Sequence, residues 1–210
     1  MKKMLFILLG FVLLIGCRNN DSIMFKREFE NLNTKNNLIK VSLPSDNPFT
    51  YITDSALQEK IEKKEDMIVL FGYSKSNETR SIVENLLDVS KKLKIDKIYY
   101  LDISEIRDEK EVNGEEVKTL KQGTDGYNKI LELGKDIFKD YKINNKVVGK
   151  RIYAGTIFKI KDNNISVTNG LSDDVDLNNY TSEEKQKSYN IIYDFLKDYI
   201  INSCSVNEGC

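Results

Sequence analysis

The stretch that most constrains the fold runs from Met67 to Leu93. It begins with five apolar residues in succession, 67–71, a pattern typical of a strand buried on both faces of a sheet. Gly72 and a polar run then end the strand, and apolar residues recur at spacings of three and four, as on one face of a helix. The hydroxyl of Ser76 is well placed to cap that helix. The sequence therefore predicts a buried strand, a short polar loop and a long helix.

This arrangement resembles the part of thioredoxin-like proteins that carries a reactive Cys-x-x-Cys motif. The motif lies in such a loop because the helix N-terminus lowers the pKa of the first thiol. Here the four corresponding positions are Ser76, Asn77, Glu78 and Thr79. A hydroxyl does not ionise near neutral pH and forms no disulfide, so thiol–disulfide exchange at this loop is excluded.

Residues 1–16 have the pattern of a lipoprotein signal peptide. Two lysines are followed by an apolar run, 4–15, that is too short to span a bilayer comfortably. The run ends at Gly16 and Cys17, which resembles the lipobox of bacterial lipoprotein precursors. The resemblance implies cleavage before Cys17, acylation such as palmitate, and a lipid-anchored protein facing outside the cytoplasm, with the bilayer as a partner. An ordinary cleaved signal or an N-terminal membrane helix is the alternative.

The composition excludes several kinds of chemistry. Because the chain has no histidine, Ser-His and Cys-His nucleophile pairs and histidine metal sites are impossible. The net charge of −1 argues against nucleic acid as a partner. The acidic run 173–178 does not match a calcium loop, because Asn179 and Lys185 stand where glycine and a bidentate glutamate are required. No metal and no cofactor are therefore expected.

The segments before the central strand are interpreted as a tether and the start of a domain. Residues 17–37 are polar and rich in asparagine, and we expect a lipidated N-terminus and a tether whose apolar residues dock on the fold. The domain is predicted over 38–210. Within it, residues 38–43 alternate between apolar and polar as an edge strand does, and 47–49 read as a turn.

Beyond the central helix, the pattern gives the order β-α-β-α-β-α-β-β-α. Residues 104–123 are charged and are interpreted as a surface insertion. Parallel strands joined by helices come first, and a hairpin with a covering helix comes last. This is the order of a thioredoxin-like fold in a single α/β domain. The later elements are predicted at 97–103 (strand), 124–141 (helix), 151–161 and 165–171 (hairpin strands), with a final helix capped at Thr181.

Five short segments carry a resemblance to a known family: 47–52, 71–73, 97–103, Thr124 with Tyr127, and 150–153. They are similar to thioredoxin-like lipoproteins and bacteriocin-export accessory proteins of Gram-positive bacteria. The resemblance implies a cis-proline beside the cysteine pair, in a loop that corresponds here to Ala154, Gly155 and Thr156. No proline stands there, and a cis bond at another residue costs about 3 kcal/mol. We therefore expect a trans loop of different shape.

Loss of both the cysteine pair and the proline predicts a domain without redox activity. We expect it to hold a peptide or an exported protein in the former substrate groove, near 73–77 and 154–156, or on the insertion 104–123, in an export-accessory role. Protection of the producing cell is a further possibility suggested by the resemblance. Nothing in this reading requires the protein to be an enzyme.

The two C-terminal cysteines allow a different function. Cys204 and Cys210 follow the last predicted helix, and an oxidising compartment favours a disulfide between them that acts as a small clip. The alternative is a thiol-disulfide oxidoreductase that uses this pair as its reactive thiols. Two thiols alone make a poor metal site.

Other polar residues near the loop have ordinary interpretations. Ser76 and Thr79 lack a neighbouring base and are interpreted as capping residues rather than nucleophiles. Lys75 and Arg80 are interpreted as solvated charges, with anion binding at the helix N-terminus as the alternative. Four tyrosines are expected to be core and groove aromatics: Tyr99, Tyr100, Tyr127 and Tyr153.

Overall fold

The computed structural model of the chain describes residues 20–199. The predicted signal peptide, the lipidation site Cys17 and the cysteines Cys204 and Cys210 lie outside this range. Five helices are α1 (20–30), α2 (Asp54–Glu62), α3 (Asn77–Leu93), α4 (Asp125–Leu133) and α5 (Ser182–Leu196), with a 3₁₀ turn at Leu177–Asn179. Nine strands are β1 (Phe49–Tyr51), β2 (Met67–Gly72), β3 (Ile98–Asp102), β4 (Glu109–Asn113), β5 (Glu116–Lys121), β6 (Asp140–Ile143), β7 (Lys146–Lys150), β8 (Thr156–Lys161) and β9 (Asn164–Thr168).

A mixed sheet of five strands forms the centre of the domain, in the order β1-β3-β2-β8-β9. Strands β1 and β2 run parallel to β3, whereas β8 runs antiparallel to both β2 and β9. Every residue of β2 is buried, as expected for a strand with neighbours on both sides and helices on both faces. The prediction of a single α/β domain around this strand is confirmed.

The alternation of side chains along β2 divides the core into two layers. Ile68 and Leu70 point to a cluster that includes the buried faces of α1, α3 and α5. Met67, Val69 and Phe71 point to the opposite cluster, which α2 and α4 cover. Each face of the sheet is therefore sealed by helices, and the site described below lies where the strands end.

Helix α1 belongs to the core, although its residues fall in the predicted tether. Phe25 and Phe29 are fully buried. The Phe25 ring stacks on Phe49 with centroids 4.1 Å apart, and meets the edge of Tyr100 at 4.8 Å. Apolar residues of this segment were expected to dock on the fold. They do so as part of a complete helix that packs on one face of the sheet.

The first strand lies later in the chain than the sequence predicts. Residues 38–43 form no strand, and β1 instead covers 49–51, so that it overlaps the turn expected over 47–49 at Phe49. The alternation in 38–43 is nevertheless used, because Val41 and Leu43 are buried while their neighbours stay exposed. Their backbone groups bond to side chains rather than to a neighbouring strand, as described below.

Two hairpins stand outside the main sheet. The predicted insertion contains β4 and β5, which turn at Gly114 with φ of +62°. The helix predicted over 124–141 is wrong beyond Leu133, because Gly134 ends α4 and the chain then forms the hairpin β6–β7. Within residues 20–199, no helix combines the length and the hydropathy needed to cross a bilayer.

Candidate functional site

The loop between β2 and α3 is organised by the side chain of Ser76. This residue is the N-cap of α3, and its Oγ accepts a hydrogen bond from the Thr79 backbone N–H at 3.2 Å, as the sequence predicts. The same hydroxyl donates to Oε2 of Glu78 at 2.6 Å. Ser76 is only 3 % exposed. Both hydrogen-bonding functions of the hydroxyl are thus used inside the loop.

Thr79 is buried against the end of the central strand. Its Oγ1 accepts a hydrogen bond from the Tyr73 backbone N–H at 3.3 Å. A Cβ added to Gly72 would lie 2.5 Å from that same oxygen, so only glycine allows the strand and the helix to approach this closely. The second hydroxyl of the loop is therefore a packing group.

Arg80 is buried, which corrects the interpretation of its charge as solvated. Its guanidinium donates to the backbone oxygens of Phe29 at 3.0 Å and Ser74 at 3.1 Å, to Oδ1 of Asn33 at 2.7 Å, and to the backbone oxygen of Ile39. Burial lowers the pKa of Arg80. Among residues 20–199, no carboxylate forms an ion pair with it. The cation is thus stabilised by carbonyl oxygens and joins the loop to the N-terminal segment.

That segment, residues 37–43, is here called the N-terminal strap. It is extended, and side chains of α3 and of the α1 region satisfy its backbone groups. Asn77 does this twice, through its Oδ1 and its Nδ2. The bonds are Ile39 N to Asn77 Oδ1 (2.9 Å), Asn77 Nδ2 to Asn37 O (3.0 Å), Val41 N to Asn33 Oδ1 (3.0 Å), Asn33 Nδ2 to Val41 O (2.7 Å), Ser42 N to Glu84 Oε1 (2.6 Å) and Leu43 N to Glu30 Oε1 (2.8 Å). The strap therefore covers one side of the loop 76–79.

The second predicted loop, 154–156, lies directly against the first. Gly155 adopts φ of +82°, and a Cβ added there would lie 2.9 Å from the backbone oxygen of Glu78. The Gly155 backbone N–H donates to the Phe71 oxygen at 2.9 Å. No peptide bond in residues 20–199 is cis. The fold thus brings together the two loops that the sequence singled out, with Gly155 at the point of close approach.

A groove of about 520 Å³ opens where the two loops meet. Glu78, Ala154 and Thr156 form part of its wall. Sequence reasoning missed the other lining residues, because they come from the turn after α4, from the residues around the hairpin β6–β7 and from the end of β9. These additional residues are Ile137, Phe138, Lys139, Arg151, Val167, Thr168, Asn169 and Leu171, and the expected groove aromatic Tyr153 lines it as well.

Arg151 is held rigidly at the hairpin end of the groove. Its Nη2 lies 3.3 Å from Oδ1 of Asp108, and its Cζ lies 3.5 Å from the centre of the Tyr141 ring. The other oxygen of Asp108 lies 3.3 Å from Nζ of Lys110. This cluster fastens the hairpin β4–β5 to the residue that follows β7. Arg151 was not among the predicted site residues, since its role depends on contacts 43 positions apart.

The described residues offer no site for a metal ion. Between residues 20 and 199, no group of three or more acidic or sulfur ligands is close enough to hold one. In the acidic run 173–178, Asp176 instead caps the 3₁₀ turn, accepting from the Asn178 backbone N–H at 2.9 Å. Of the four tyrosines, Tyr100 and Tyr127 are fully buried, and Tyr153 lines the groove with 38 % exposure.

No protein-family model matches the chain, and no curated protein or solved structure is significantly similar to it. Function is therefore inferred from the chemistry of the site.

Proposed function

We propose that the protein is a lipid-anchored, extracytoplasmic lipoprotein whose thioredoxin-like domain binds a peptide or protein segment and performs no redox chemistry. The observation that carries the proposal is the groove between Glu78 and the loop 154–156. In a thioredoxin-like fold, this groove would correspond to the substrate site between the reactive loop and the proline loop. An export-accessory role follows from the family resemblance.

Three features support a thioredoxin-like fold. The strand order β1-β3-β2-β8-β9 combines a parallel part with an antiparallel hairpin. Helices connect the parallel strands, as right-handed crossovers require. Ser76 at the N-cap and Thr79 three residues later stand where the two cysteines are expected.

The chemistry of the loop supports binding rather than catalysis. Both hydroxyls are buried, and each accepts a backbone hydrogen bond that a nucleophile would have to break. The sequence has no histidine to act as a base. Among residues 20–199, the loop therefore offers a surface for contacts rather than an activated hydroxyl.

The shape and lining of the groove fit an extended peptide. The described side chains include the apolar residues Ile137, Phe138 and Leu171, which suit an apolar side chain of a ligand. Strand β9 is an edge of the main sheet and contributes Val167 and Thr168 to the wall. Extended segments commonly bind beside such edges.

Site-specific photocrosslinking in native membranes tests the groove. A benzophenone side chain replaces Tyr153 inside the groove or, as the matched control, Leu120 on β5, which is 55 % exposed and outside it. We expect an adduct at position 153 that is absent at 120. A synthetic segment from the crosslinked partner must then bind the full chain. Equal adducts at both positions, or none at 153, would contradict the proposal.

The membrane anchor is tested separately. Replacement of Cys17 by Ala removes the proposed acylation site, so we expect the protein to move from the membrane fraction to the soluble fraction and to lose labelling by a palmitate analogue. The Cys204→Ala, Cys210→Ala double variant keeps Cys17 and should stay in the membrane. Unchanged fractionation of Cys17→Ala would contradict a lipid anchor.

A further inference from the structure

We propose that the hairpin β6–β7 gives the groove a cationic rim, so that the bound segment carries acidic residues next to an apolar one. This inference rests on the proposed peptide-binding function and specifies the chemistry of its ligand. The hairpin has no part in the five-stranded sheet, so the preference belongs to an addition to the fold.

The charge of the hairpin region departs from that of the whole chain. The chain has a net charge of −1, close to neutral. In residues 134–151, however, basic side chains outnumber acidic ones. The basic residues are Lys135, Lys139, Lys142, Lys146, Lys150 and Arg151, and the acidic ones are Asp136 and Asp140.

The basic residues adjoin the groove itself. A recess of about 400 Å³ is lined by Lys139, Asp140, Lys142, Lys150 and Tyr153. It shares Lys139 and Tyr153 with the groove, so a ligand that lies in the groove reaches the recess without leaving the surface. Because the Tyr153 hydroxyl donates to the Asp140 backbone oxygen at 3.0 Å, the shared wall is fixed in place.

Only some of these cations remain available to a ligand. Lys150 lies 2.9 Å from the Asp140 carboxylate and its hydrogen bond lowers the pKa of that group, with a smaller electrostatic contribution from Lys142. Arg151 is paired with Asp108. Lys139 and Lys142 are exposed and form no ion pair within residues 20–199. These two lysines are therefore the cations that an acidic side chain would meet.

The carboxylates around the groove set the direction of the ligand. Glu78 lines the groove and repels an acidic residue beside it, whereas Lys139 in the groove and Lys142 in the adjoining recess attract one. The apolar lining residues Ile137, Phe138 and Leu171 accept the neighbouring apolar side chain. A negatively charged lipid surface would use the same lysines but would leave this recessed apolar wall unused, so a peptide fits the whole site better.

Fluorescence anisotropy with the full chain in neutral detergent tests the preference. The probes are two labelled peptides with one central phenylalanine, flanked either by glutamates or by the isosteric glutamines. We expect the glutamate peptide to bind roughly tenfold more tightly at low salt, an advantage that shrinks as salt is added. The Lys139→Glu, Lys142→Glu variant should lose that advantage.

The control has the same change in charge away from the groove. Lys35 and Lys118 are exposed and form no ion pair among the described residues, so Lys35→Glu, Lys118→Glu should keep the tenfold preference. Equal circular dichroism and melting temperatures show that each variant is folded.

The outcomes separate the two proposals. Tight but equal binding of both peptides overturns the cationic rim and leaves peptide binding intact. Absence of binding by both peptides, together with no adduct at position 153, overturns both. If Lys139 and Lys142 instead govern binding to phosphatidylglycerol vesicles, with no preference between the peptides, the rim serves a membrane and the inference fails.

Discussion

At the scale of single residues, Gly155 shows how closely the two loops of the site approach. Its φ of +82° disfavours any side chain, and an added Cβ would lie 2.9 Å from the Glu78 backbone oxygen. We expect Gly155→Ala to lower the free energy of unfolding by roughly 2–3 kcal/mol, from strain and clash together. Urea denaturation of the full chain measures this.

Gly114 provides the matched control for the conformational part of that loss. Its φ is +62°, but nothing lies within 4 Å of an added Cβ. Gly114→Ala should therefore cost only about 1 kcal/mol. If the two substitutions cost the same, the close contact between the loops is not present.

The burial of Ser76 gives a second prediction, on thiol reactivity. In a background with the native cysteines replaced by alanine, Ser76→Cys should react with a soluble disulfide reagent roughly tenfold more slowly than Lys75→Cys. Position 76 is 3 % exposed beside the Glu78 carboxylate, whereas Lys75 is exposed. Burial and the like charge outweigh the helix N-terminus here. Equal rates would mean an open loop like that of an active oxidoreductase.

Residue-level prediction from sequence succeeds where the cause is local. The cap at Ser76 follows from its neighbours up to Thr79. The burial of Arg80 does not, because its acceptors come from Phe29, Asn33 and Ile39, more than 40 positions earlier. The sequence pattern around Arg80 does not predict those hydrogen-bond acceptors.

At the scale of elements, the N-terminal strap explains why an alternating segment failed to become a strand. Val41 and Leu43 bury as predicted, which satisfies the hydrophobic pattern. The edge of the sheet, however, is taken by β1, whose Phe49 stacks on Phe25. The backbone groups of the strap therefore form hydrogen bonds with side chains. Hydrophobic periodicity does not predict such bonds.

Asn77 is expected to hold the strap in place. In Asn77→Ala, the Ile39 amide loses its acceptor at 2.9 Å and should exchange with deuterium roughly five- to tenfold faster. Asn178 lines a pocket together with Ile39 and Asn77, but its side chain makes no hydrogen bond among the described residues. Asn178→Ala should therefore leave exchange at Ile39 unchanged. Exchange that is unchanged in both variants would show that the strap is held by its apolar residues alone.

The hairpin β6–β7 was missed because its beginning imitates a helix. Ile137 and Phe138 continue the spacing of α4, but Gly134 ends the helix and Ile137 already belongs to a turn. Asn144 and Asn145 both adopt positive φ at the tip, a hairpin signal that was available in the sequence. The groove predicted from the sequence lacked its basic residues for the same reason, because the hairpin region supplies them.

At the scale of the whole molecule, the absence of histidine shapes the dependence of stability on pH. No side chain with an ordinary pKa near 6.5 is present. We therefore expect the free energy of unfolding, measured with urea, to vary little between about pH 6 and 9. A step centred between pH 6 and 7 would contradict this.

Below and above that pH range the free energy of unfolding should decrease, for opposite reasons. Hydrogen bonds from Lys150 and Lys159 lower the pKa of Asp140 and Asp198 in the folded state, so their contribution is present above the unfolded pKa and is lost as pH falls through the folded one. Burial raises the pKa of Tyr127 and Tyr199 to about 12. Their contribution is complete below the unfolded value of 10.0 and is lost as pH rises toward 12.

The part of the architecture that the sequence predicts is the part with continuous runs of hydrophobic residues. The buried strand 67–71 and the helix after it identified the centre of the sheet, because burial on both faces leaves a continuous apolar signal. Helix α1 left a weaker signal, since Phe25 and Phe29 are its buried apolar residues whereas Met24 is exposed and Ser22 is buried. Its place in the core depends on Phe49 and Tyr100, which lie far along the chain.

The incorporation of α1 into the domain has a consequence for distance from the bilayer. If Cys17 carries lipid, only Arg18 and Asn19 separate it from residue 20, where the described helix is already under way. Three residue steps extend at most about 11 Å, little more than a layer of headgroups. The domain would then lie against the lipid surface rather than at the end of a long tether. Any ligand of the domain would have to bind close to the membrane.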